Sequence, residues 1–338
     1  MDRLSDLLSA QFQEPSLSTS DPARLKLTIQ SVTDEAEGIL GFTLVDPQGG
    51  VLPAYEAGAH IDVHVAPHLV RQYSIAGDPA ERGRYVIAVL KEPAGRGGSQ
   101  AVHETFRPGQ VIEVSTPRNH FRLSESPDEH LLLGAGIGVT PMMAMIASLE
   151  ARGARWHMHY CTRSPERTAF RERLAPLVDK GKVTLHHDGG NPERSLDLRV
   201  ALAAAKPGTH VYYCGPPGFM AAVGDAVREW PAKNVHFEHF SAPTRTDDVR
   251  PNGAFQIKLK SSGEVFVVPA DKSIVQVLRE NGHEVDTSCE DGFCGTCLTS
   301  YVEGEPEHRD TFLDDNDRRR QVLICCARSK SSMLVLDL

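Results

Sequence analysis

The stretch "CEDGFCGTC" (289–297) places three cysteines within nine residues, and two more follow in "VLICCAR" (322–328). Soft sulfur ligands suit iron held in a tetrahedral field. Gly292 and Gly295 lie between the cysteines, and glycine accepts backbone angles that let main-chain N–H groups turn toward sulfur. The sequence therefore predicts a metal-binding loop in its C-terminal part.

The spacing Cys-x4-Cys-x2-Cys with one distant cysteine is that of plant-type [2Fe–2S] clusters. Cys289, Cys294 and Cys297 are the first three predicted ligands, and Cys325 and Cys326 compete for the fourth place. Structural zinc is the rival interpretation, but zinc sites usually pair two short arms, whereas this loop has one such arm and no histidine partner at a suitable spacing. Buried free thiols are the third possibility.

Length and charge limit the classes of protein that the chain can belong to. With 338 residues and 37.0 kDa, two or three domains are expected. A net charge of −9 without a basic stripe argues against nucleic acid or anionic membrane as a partner. No apolar run is long enough to span a bilayer, and the first residues lack the basic-then-apolar order of a secretory signal. Seven cysteines, an odd number, favour a reducing compartment, so a cytoplasmic protein is expected.

Three blocks of the sequence differ in their periodicity. From about residue 25 to 123, stretches such as "HIDVHV" (60–65) and "RYVIAVL" (84–90) alternate at period two, which indicates a small antiparallel barrel or sandwich. From about 130 to 240, apolar strands alternate with helices, which indicates a parallel sheet covered on both faces. In the segment 130–153, Thr140 is the predicted N-cap of a helix, Pro141 its first residue and Gly153 its stop.

The last block begins after a polar, proline-bearing segment that reads as a linker. A hairpin-like pair (255–269) and a helix (272–282) then lead into the cysteine loop. The predicted division is a tail at 1–22, a barrel domain at 23–126, an α/β domain at 127–241, a linker at 242–253 and a cysteine-bearing domain at 254–338.

Two stretches of the first block together predict an anion site. "RQYS" (71–74) supplies Arg71 as a bidentate cation, and "GRGGSQAVHETF" (95–106) supplies a glycine-rich turn before a helix. Ser99 is the predicted cap of a helix that starts near Gln100, while Gly97 and Gly98 permit close backbone approach to a phosphate.

These motifs, with "GAGIGVTPMM" (134–143) and "YYCGPPGFM" (212–220), occur in the order of the ferredoxin–NADP reductase superfamily. With a plant-type ferredoxin module at its C-terminal end, the chain resembles the phthalate dioxygenase reductase type from about residue 25 to 338. The resemblance implies a multidomain fold: an antiparallel β-barrel that binds FMN, an α/β parallel-sheet domain that binds NADH, and an α+β β-grasp ferredoxin domain. The order of the modules favours FMN over FAD.

The resemblance also implies roles for individual residues. Cys214 would face the nicotinamide, Thr140 would lie under it, and Phe240 would stack on the flavin until nicotinamide displaces it; a core cysteine and a core aromatic are the plain alternatives. In the ferredoxin pattern Leu-Thr-Cys-Val-Ala, "LICCA" puts Cys325 rather than Cys326 in the ligand position. The implied flavin residues are Arg71, Gln72, Tyr73, Ser74, Val89, Leu90, Lys91, Gly97, Gly98 and Ser99. The implied nucleotide residues are Gly134, Gly136, Gly138, Gly215 and Pro216.

The implied activity is that of the reductase component of a two-component Rieske-type aromatic oxygenase, a dioxygenase or an O-demethylase. Hydride passes from NADH to FMN, and single electrons then pass through the cluster to a separate terminal oxygenase, because no oxygenase metal site is visible in this chain. Arg163 and Arg167 could meet the 2′-phosphate of NADPH, but the family type favours NADH. A monomer is expected, with an acidic surface near the cluster steering the partner: Glu290, Asp291, Glu303, Glu305 and Glu307.

Three alternatives stay open at this point. One is a ferredoxin-like carrier with redox-sensing or docking modules. Another is a zinc-stabilised protein without redox work. The last is a reductase for a different acceptor, such as a haem monooxygenase.

Overall fold

Six antiparallel strands build the first domain of the computed structural model, which describes residues 24–66, 69–95, 97–126, 128–240 and 252–338. They run in the order β4-β3-β6-β1-β2-β5. Ile75 bridges to Ile87, and the Ala76 N–H donates to the Val86 carbonyl, so the end of β4 meets β5 and closes the barrel. The elements are β1 (Arg24–Ala36), β2 (Ile39–Val45), β3 (His60–Ala66), β4 (Leu69–Ser74), β5 (Tyr85–Leu90), α1 (Gly98–Thr105) and β6 (Val111–Ser115).

Period-two alternation explains the barrel strands. In β5 the side chains of Tyr85, Ile87 and Val89 are buried, as the "YVIAVL" pattern predicts. The predicted 1–22 tail lies outside the described residues.

Five parallel strands form the second domain in the order β11-β10-β7-β8-β9, with helices on both faces. The chain order reverses between β7 and β10, and in such sheets ligands bind at the carboxyl ends of the strands at that point. The elements are β7 (His130–Ala135), α2 (Thr140–Ala151), β8 (Trp156–Thr162), α3 (Arg171–Asp179), β9 (Val183–His187), α4 (Leu198–Ala203), β10 (His210–Cys214), α5 (Pro217–Ala226) and β11 (Val235–Glu238). Single turns of 3₁₀ helix occupy Gly136–Val139, Pro165–Arg167, Pro192–Arg194 and Ala232–Asn234.

The prediction that Thr140 caps α2 is wrong. Thr140 is the first residue of α2, Val139 occupies the cap position without a side-chain bond, and Pro141 is the second residue. The turn of 3₁₀ helix before α2 is the reason, because the Thr140 hydroxyl donates to the Ile137 carbonyl at 2.9 Å instead of accepting from α2. Gly153 follows the end of α2 with φ +63°, as predicted for a stop.

The third domain is a five-stranded mixed sheet, β13-β12-β18-β14-β16, packed against one helix, together with a small two-stranded sheet, β15-β17. The helix begins with a capping box between Ser273 and Gln276. The elements are β12 (Phe255–Leu259), β13 (Val265–Val268), α6 (Ile274–Glu280), β14 (Leu298–Glu303), β15 (Pro306–Glu307), a 3₁₀ turn (Asp317–Arg319), β16 (Gln321–Leu323), β17 (Arg328–Ser329) and β18 (Met333–Leu336). The predicted linker lies outside the described residues except for Asn252 and Gly253.

Buried side chains divide the chain differently from the three domains. One continuous hydrophobic cluster runs from the barrel into α2 and the β8 face of the second domain. A separate cluster fills the third domain, and a smaller one lies under α4 and α5. No helix among the described residues is both long and apolar enough to cross a bilayer.

Candidate functional site

A cleft of about 520 Å³ opens where the three domains meet. Strand β4 and the start of α1 form one wall, and the glycine turn after β7 with the residues after β10 and β11 forms another. The loop that carries Cys289 and Cys294 closes the third side. The predicted site residues on these walls are Arg71, Gln72, Tyr73, Ser74, Leu90, Gly98, Ser99, Gly136, Thr140, Gly215, Pro216, Phe240, Cys289 and Cys294.

Other predicted site residues lie behind the walls or beside them. Val89 is in the barrel core, and Lys91 lies 3.6 Å from the Glu104 carboxylate. Cys214 at the end of β10 is completely buried, and burial raises the pKa of its thiol well above the usual value. The structure therefore keeps this thiol protonated. Also absent from the walls are Gly97, Gly134, Gly138, Cys297 and Cys325.

Arg71 and the start of α1 form the anion cradle of the cleft. A Cβ on Gly98 would come within 2.4 Å of Arg71 Nε, so glycine lets the guanidinium lie directly over the first turn of α1. The predicted capping role of Ser99 is wrong, since α1 begins at Gly98 with Gly97 (φ +77°) before it, and the Ser99 hydroxyl accepts from the Glu92 N–H. Tyr73 lines the cleft with a buried hydroxyl that makes no hydrogen bond within the described protein, as a residue awaiting a ligand would.

Gly138 allows the close packing that positions the nucleotide-domain wall of the cleft. A Cβ on Gly138 would lie 2.3 Å from the carbonyl oxygen of Cys214, so only glycine allows the turn after β7 to pack on the end of β10. This packing brings Gly136 and Thr140 to the cleft beside Gly215.

A buried acid at the corner of the cleft was not among the predicted residues. Burial raises the pKa of Glu238, which ends β11, to about 8, although a hydrogen bond from the Ser74 hydroxyl (3.5 Å) opposes the shift. His60 Nδ1 lies 3.9 Å from this carboxyl, and burial together with the charge of Arg118 and of His120 lowers the pKa of His60 to about 3. Both side chains are therefore mostly uncharged at neutral pH.

The sequence held only weak signals for this corner. His60 opens a period-two strand in which a polar residue is expected to face water, and Glu238 lies in a short strand of mixed polarity. Phe240 lies two residues beyond β11, where it is 38% exposed on the cleft wall.

The cysteine loop takes the shape that its glycines predict. Gly292 and Gly295 have φ +78° and +76°, and a Cβ on either would collide with Cys326 Sγ (2.6 Å) or the Phe312 ring (2.4 Å). The Asp291 N–H donates to Cys289 Sγ at 3.4 Å. Main-chain donors thus point at sulfur, as they do around iron–sulfur clusters.

Four thiols form a chain of contacts at this loop, from Cys294 through Cys289 and Cys325 to Cys297. Cys325 is within hydrogen-bond reach of both Cys289 and Cys297, and Cys289 is within reach of Cys294; these contacts and burial raise the pKa of the Cys294 and Cys297 thiols. Cys326 instead faces the Leu323 carbonyl. Over the described ranges, no group of three or more His, Cys, Asp or Glu side chains converges as the ligands of one metal ion would. A two-iron cluster takes two ligands per iron, and the two ends of this chain, Cys294 with Cys289 and Cys297 with Cys325, would supply them.

The fold and the cleft define an oxidoreductase that passes electrons between a pyridine nucleotide and a [2Fe–2S] centre. Residues 132–225 match the model of the oxidoreductase NAD-binding domain, and residues 257–330 match that of the 2Fe-2S iron-sulfur cluster binding domain. The chain belongs to the phthalate dioxygenase reductase family of reductase components. The fold class and the family that the sequence predicted are thereby confirmed.

Two curated relatives and one solved structure illustrate the relationship. The reductase subunit of tert-butanol monooxygenase / tert-amyl alcohol desaturase from Aquincola tertiaricarbonis is 47% identical over 93% of this chain and 96% of its own length. Phthalate dioxygenase reductase from Burkholderia cepacia is 43% identical, with 93% and 97% covered. A solved phthalate dioxygenase reductase, described as a modular structure for electron transfer from pyridine nucleotides to [2Fe-2S], has a TM-score of 0.73 at 42% identity and covers 94% of this chain and 98% of its own.

Proposed function

We propose that this chain is the FMN-containing, NADH-dependent reductase of a two-component oxygenase, and that the cleft between its three domains is the place where all three redox groups meet. The observation that supports this proposal is the composition of the cleft wall, where the anion cradle at Arg71, the glycine turn at Gly136 and the cluster loop at Cys289 and Cys294 line one space. Electron transfer needs donors and acceptors held close together, and holding them is the protein's part of the chemistry.

Each wall has its own task in this proposal. Arg71 and the N–H groups at the start of α1 bind the flavin phosphate, and the Tyr73 hydroxyl donates to the flavin. Gly136 and Gly215 admit the pyridine nucleotide, with Thr140 and Pro216 beside it. A bound flavin would accept two electrons as a hydride from the nucleotide and would pass them on one at a time. Cys289, Cys294, Cys297 and Cys325 hold the cluster.

Three side chains at or behind the cleft, Phe240, Cys214 and Glu238, act where the nicotinamide meets the flavin in this proposal. Phe240 covers the flavin ring until nicotinamide takes its place, and buried Cys214 supports the nicotinamide from behind. Glu238, protonated at neutral pH, holds a proton at the cleft without placing a negative charge beside an incoming hydride.

The electron acceptor in this proposal is a separate oxygenase of the Rieske type. Among the relatives, one is named for a phthalate dioxygenase, whose substrate is aromatic, and another for a tert-butanol monooxygenase, whose substrate is not. The aromatic substrate class is therefore the narrower part of the proposal. Coupled turnover of NADH with purified oxygenases for aromatic and for small aliphatic substrates distinguishes the two classes.

Cations of the ferredoxin domain partly neutralise the predicted acidic docking surface. Glu290 pairs with Arg279, Glu305 with Lys330 and Glu307 with Arg309, so three of the five acidic residues face a cation of their own domain. Steering by this surface is consequently weaker than the sequence suggests. A salt titration of the reduction rate with the partner oxygenase measures what remains of it.

The same proposal includes a monomeric state, a cytoplasmic location and the domain boundaries 23–126, 127–241 and 254–338. The location is supported by the odd number of cysteines and by the metal site that four of them are proposed to form, since both fit a reducing compartment. Sedimentation analysis of the purified chain tests the monomer, and a dimer peak at micromolar concentration would contradict it.

Replacement of one cluster ligand tests the electron path. Cys294→Ser is expected to keep NADH–dye reductase activity, because the flavin and nucleotide walls stay intact, and to lose cytochrome c reduction, which needs the cluster. The visible spectrum is the companion measurement: flavin and iron–sulfur absorption, both bleached by NADH, are expected in the unmodified chain. The proposal would be contradicted by a colourless chain that holds zinc, or by equal loss of both activities in the variant.

A further inference from the structure

The side chain of Gln72 crosses from the barrel to the cysteine loop. Gln72 Nε2 lies 3.1 Å from the carbonyl oxygen of Cys294 and 3.2 Å from Thr296 Oγ1, and its third neighbour is His60 Nε2 at 3.3 Å. The amide nitrogen carries two hydrogens and only donates, so its two nearer partners, the Cys294 carbonyl oxygen and the Thr296 hydroxyl oxygen, are the acceptors. A barrel residue therefore binds directly to the segment between two predicted cluster ligands, across 222 positions of sequence from Cys294.

Thr296 stands between Gln72 and sulfur. Its Oγ1 is 3.4 Å from Cys294 Sγ. A hydroxyl carries one hydrogen, and an oxygen that accepts from Gln72 turns that hydrogen away from the amide. Once Cys294 is a thiolate bound to iron, its sulfur can only accept, so the Thr296 hydroxyl is left to donate to it.

We propose that Gln72 and Thr296 form a hydrogen-bond relay that raises the reduction potential of the cluster while the ferredoxin domain rests on the barrel. Hydrogen bonds to cluster sulfurs are one of the means by which proteins set these potentials. The reduced cluster carries one more electron and no new bond or proton, so a donor at sulfur stabilises the reduced form more than the oxidised one. Gln72 acts through Thr296 and is a positioning residue.

The relay connects the potential to the contact between domains. Two other contacts across this boundary do not involve Thr296: Arg24 Nη2 lies 3.5 Å from Asp286 Oδ2, and the His120 and Phe312 rings meet edge to face at 5.0 Å. These contacts hold the ferredoxin domain without touching Thr296, so they provide a matched control.

The test is an EPR-monitored redox titration of the full-length protein loaded with flavin and iron. Gln72→Met removes the donor at nearly constant volume and adds no charge, and Thr296→Val removes the hydroxyl but keeps the shape. Each is expected to lower the ratio of reduced to oxidised cluster at a fixed potential about tenfold, which is about 59 mV for a one-electron couple. The double variant is expected to match Thr296→Val alone, whereas Thr296→Ser and Arg24→Gln are expected to keep the unmodified potential.

Several results would overturn the relay. They are an unchanged potential in Gln72→Met, a further drop when Gln72→Met is added to Thr296→Val, or an equal drop in Arg24→Gln, which would mean that any loosened contact suffices. If Gln72→Met does not fold, equal potentials in Thr296→Val and Thr296→Ser would refute the relay by themselves. The inference rests on the proposed cluster, and the two fail differently: an unmodified chain that binds no iron contradicts the proposed function, whereas a red, reducible chain with unshifted variants contradicts only the relay.

Discussion

Glu238→Gln tests the buried acid at the cleft through the pH dependence of stability. A carboxyl group whose pKa rises from 4.5 in the unfolded chain to about 8 in the folded one favours folding while it is protonated. Its contribution is complete below pH 4.5, falls as the unfolded chain ionises, and is gone above about pH 8. Glutamine keeps the shape and cannot ionise, so the variant loses this part of the pH dependence.

The size of the effect follows from the shift. From 4.5 to about 8, at about 1.4 kcal/mol per pKa unit, the full contribution is about 5 kcal/mol. Water reaches part of the side chain, which is 17% exposed, so about 2–3 kcal/mol is expected. The stability of Glu238→Gln relative to the unmodified protein should rise by this amount between pH 5 and pH 8.5.

Both tryptophans, Trp156 and Trp230, lie in the nucleotide domain, so urea unfolding followed by tryptophan fluorescence reports on the domain that carries Glu238. Titrations at pH 5, 6.5 and 8.5 give the three points needed. Glu193→Gln, at an exposed position of the same domain, is the control and should follow the unmodified protein. Parallel pH profiles for Glu238→Gln and the unmodified chain would refute the argument that burial holds this proton.

Three further substitutions test the walls of the cleft. Gly138→Ala puts a Cβ 2.3 Å from a backbone oxygen, so a loss of about 1–3 kcal/mol of stability and of NADH affinity is expected by thermal unfolding and titration, whereas Gly218→Ala, with open space around it, should be neutral or slightly stabilising. Gly292→Ala should lower the iron-to-protein ratio because its Cβ meets a thiol at 2.6 Å; Gly263→Ala carries the same cost of positive φ without the collision and should keep its iron. Arg71→Met should weaken FMN binding about 10- to 100-fold, since a charge-assisted hydrogen bond contributes about 1.5–3 kcal/mol, and equal FMN retention on dialysis would contradict the cradle.

Local patterns in the sequence predicted much of this molecule. The cysteine spacing, the two positive-φ glycines of the loop and the change from period two to strand–helix alternation each depend on neighbours within a few residues. Ser99 and Thr140 show the limit even at short range, because a 3₁₀ turn or a glycine at the helix start redirects a hydroxyl that looks like a cap.

Contacts between residues far apart in the chain could not be predicted, because they leave no periodicity or motif in the sequence. Burial raises the pKa of Glu238, and this burial exists only in the folded chain, where the end of β11 lies beside Ser74 and His60 of the barrel. The family resemblance assigns Gln72 to the flavin. Its hydrogen bond to the Cys294 carbonyl is seen only in the folded chain, where the ferredoxin domain lies against the barrel. Burial and interdomain hydrogen bonds belong to the folded chain as a whole, and spacing along the sequence does not encode them.

The hydrophobic cluster shared by the barrel and the nucleotide domain means that the three domains amount to two cooperative units. The barrel and the α2 face of its neighbour should melt together, since neither can lose its core without opening the other, whereas the ferredoxin domain keeps a core of its own. Inheritance would follow the same division. A gene could gain, lose or exchange the ferredoxin segment by one crossover between the second and third domains, while a crossover between barrel and nucleotide domain would separate side chains that pack in one core.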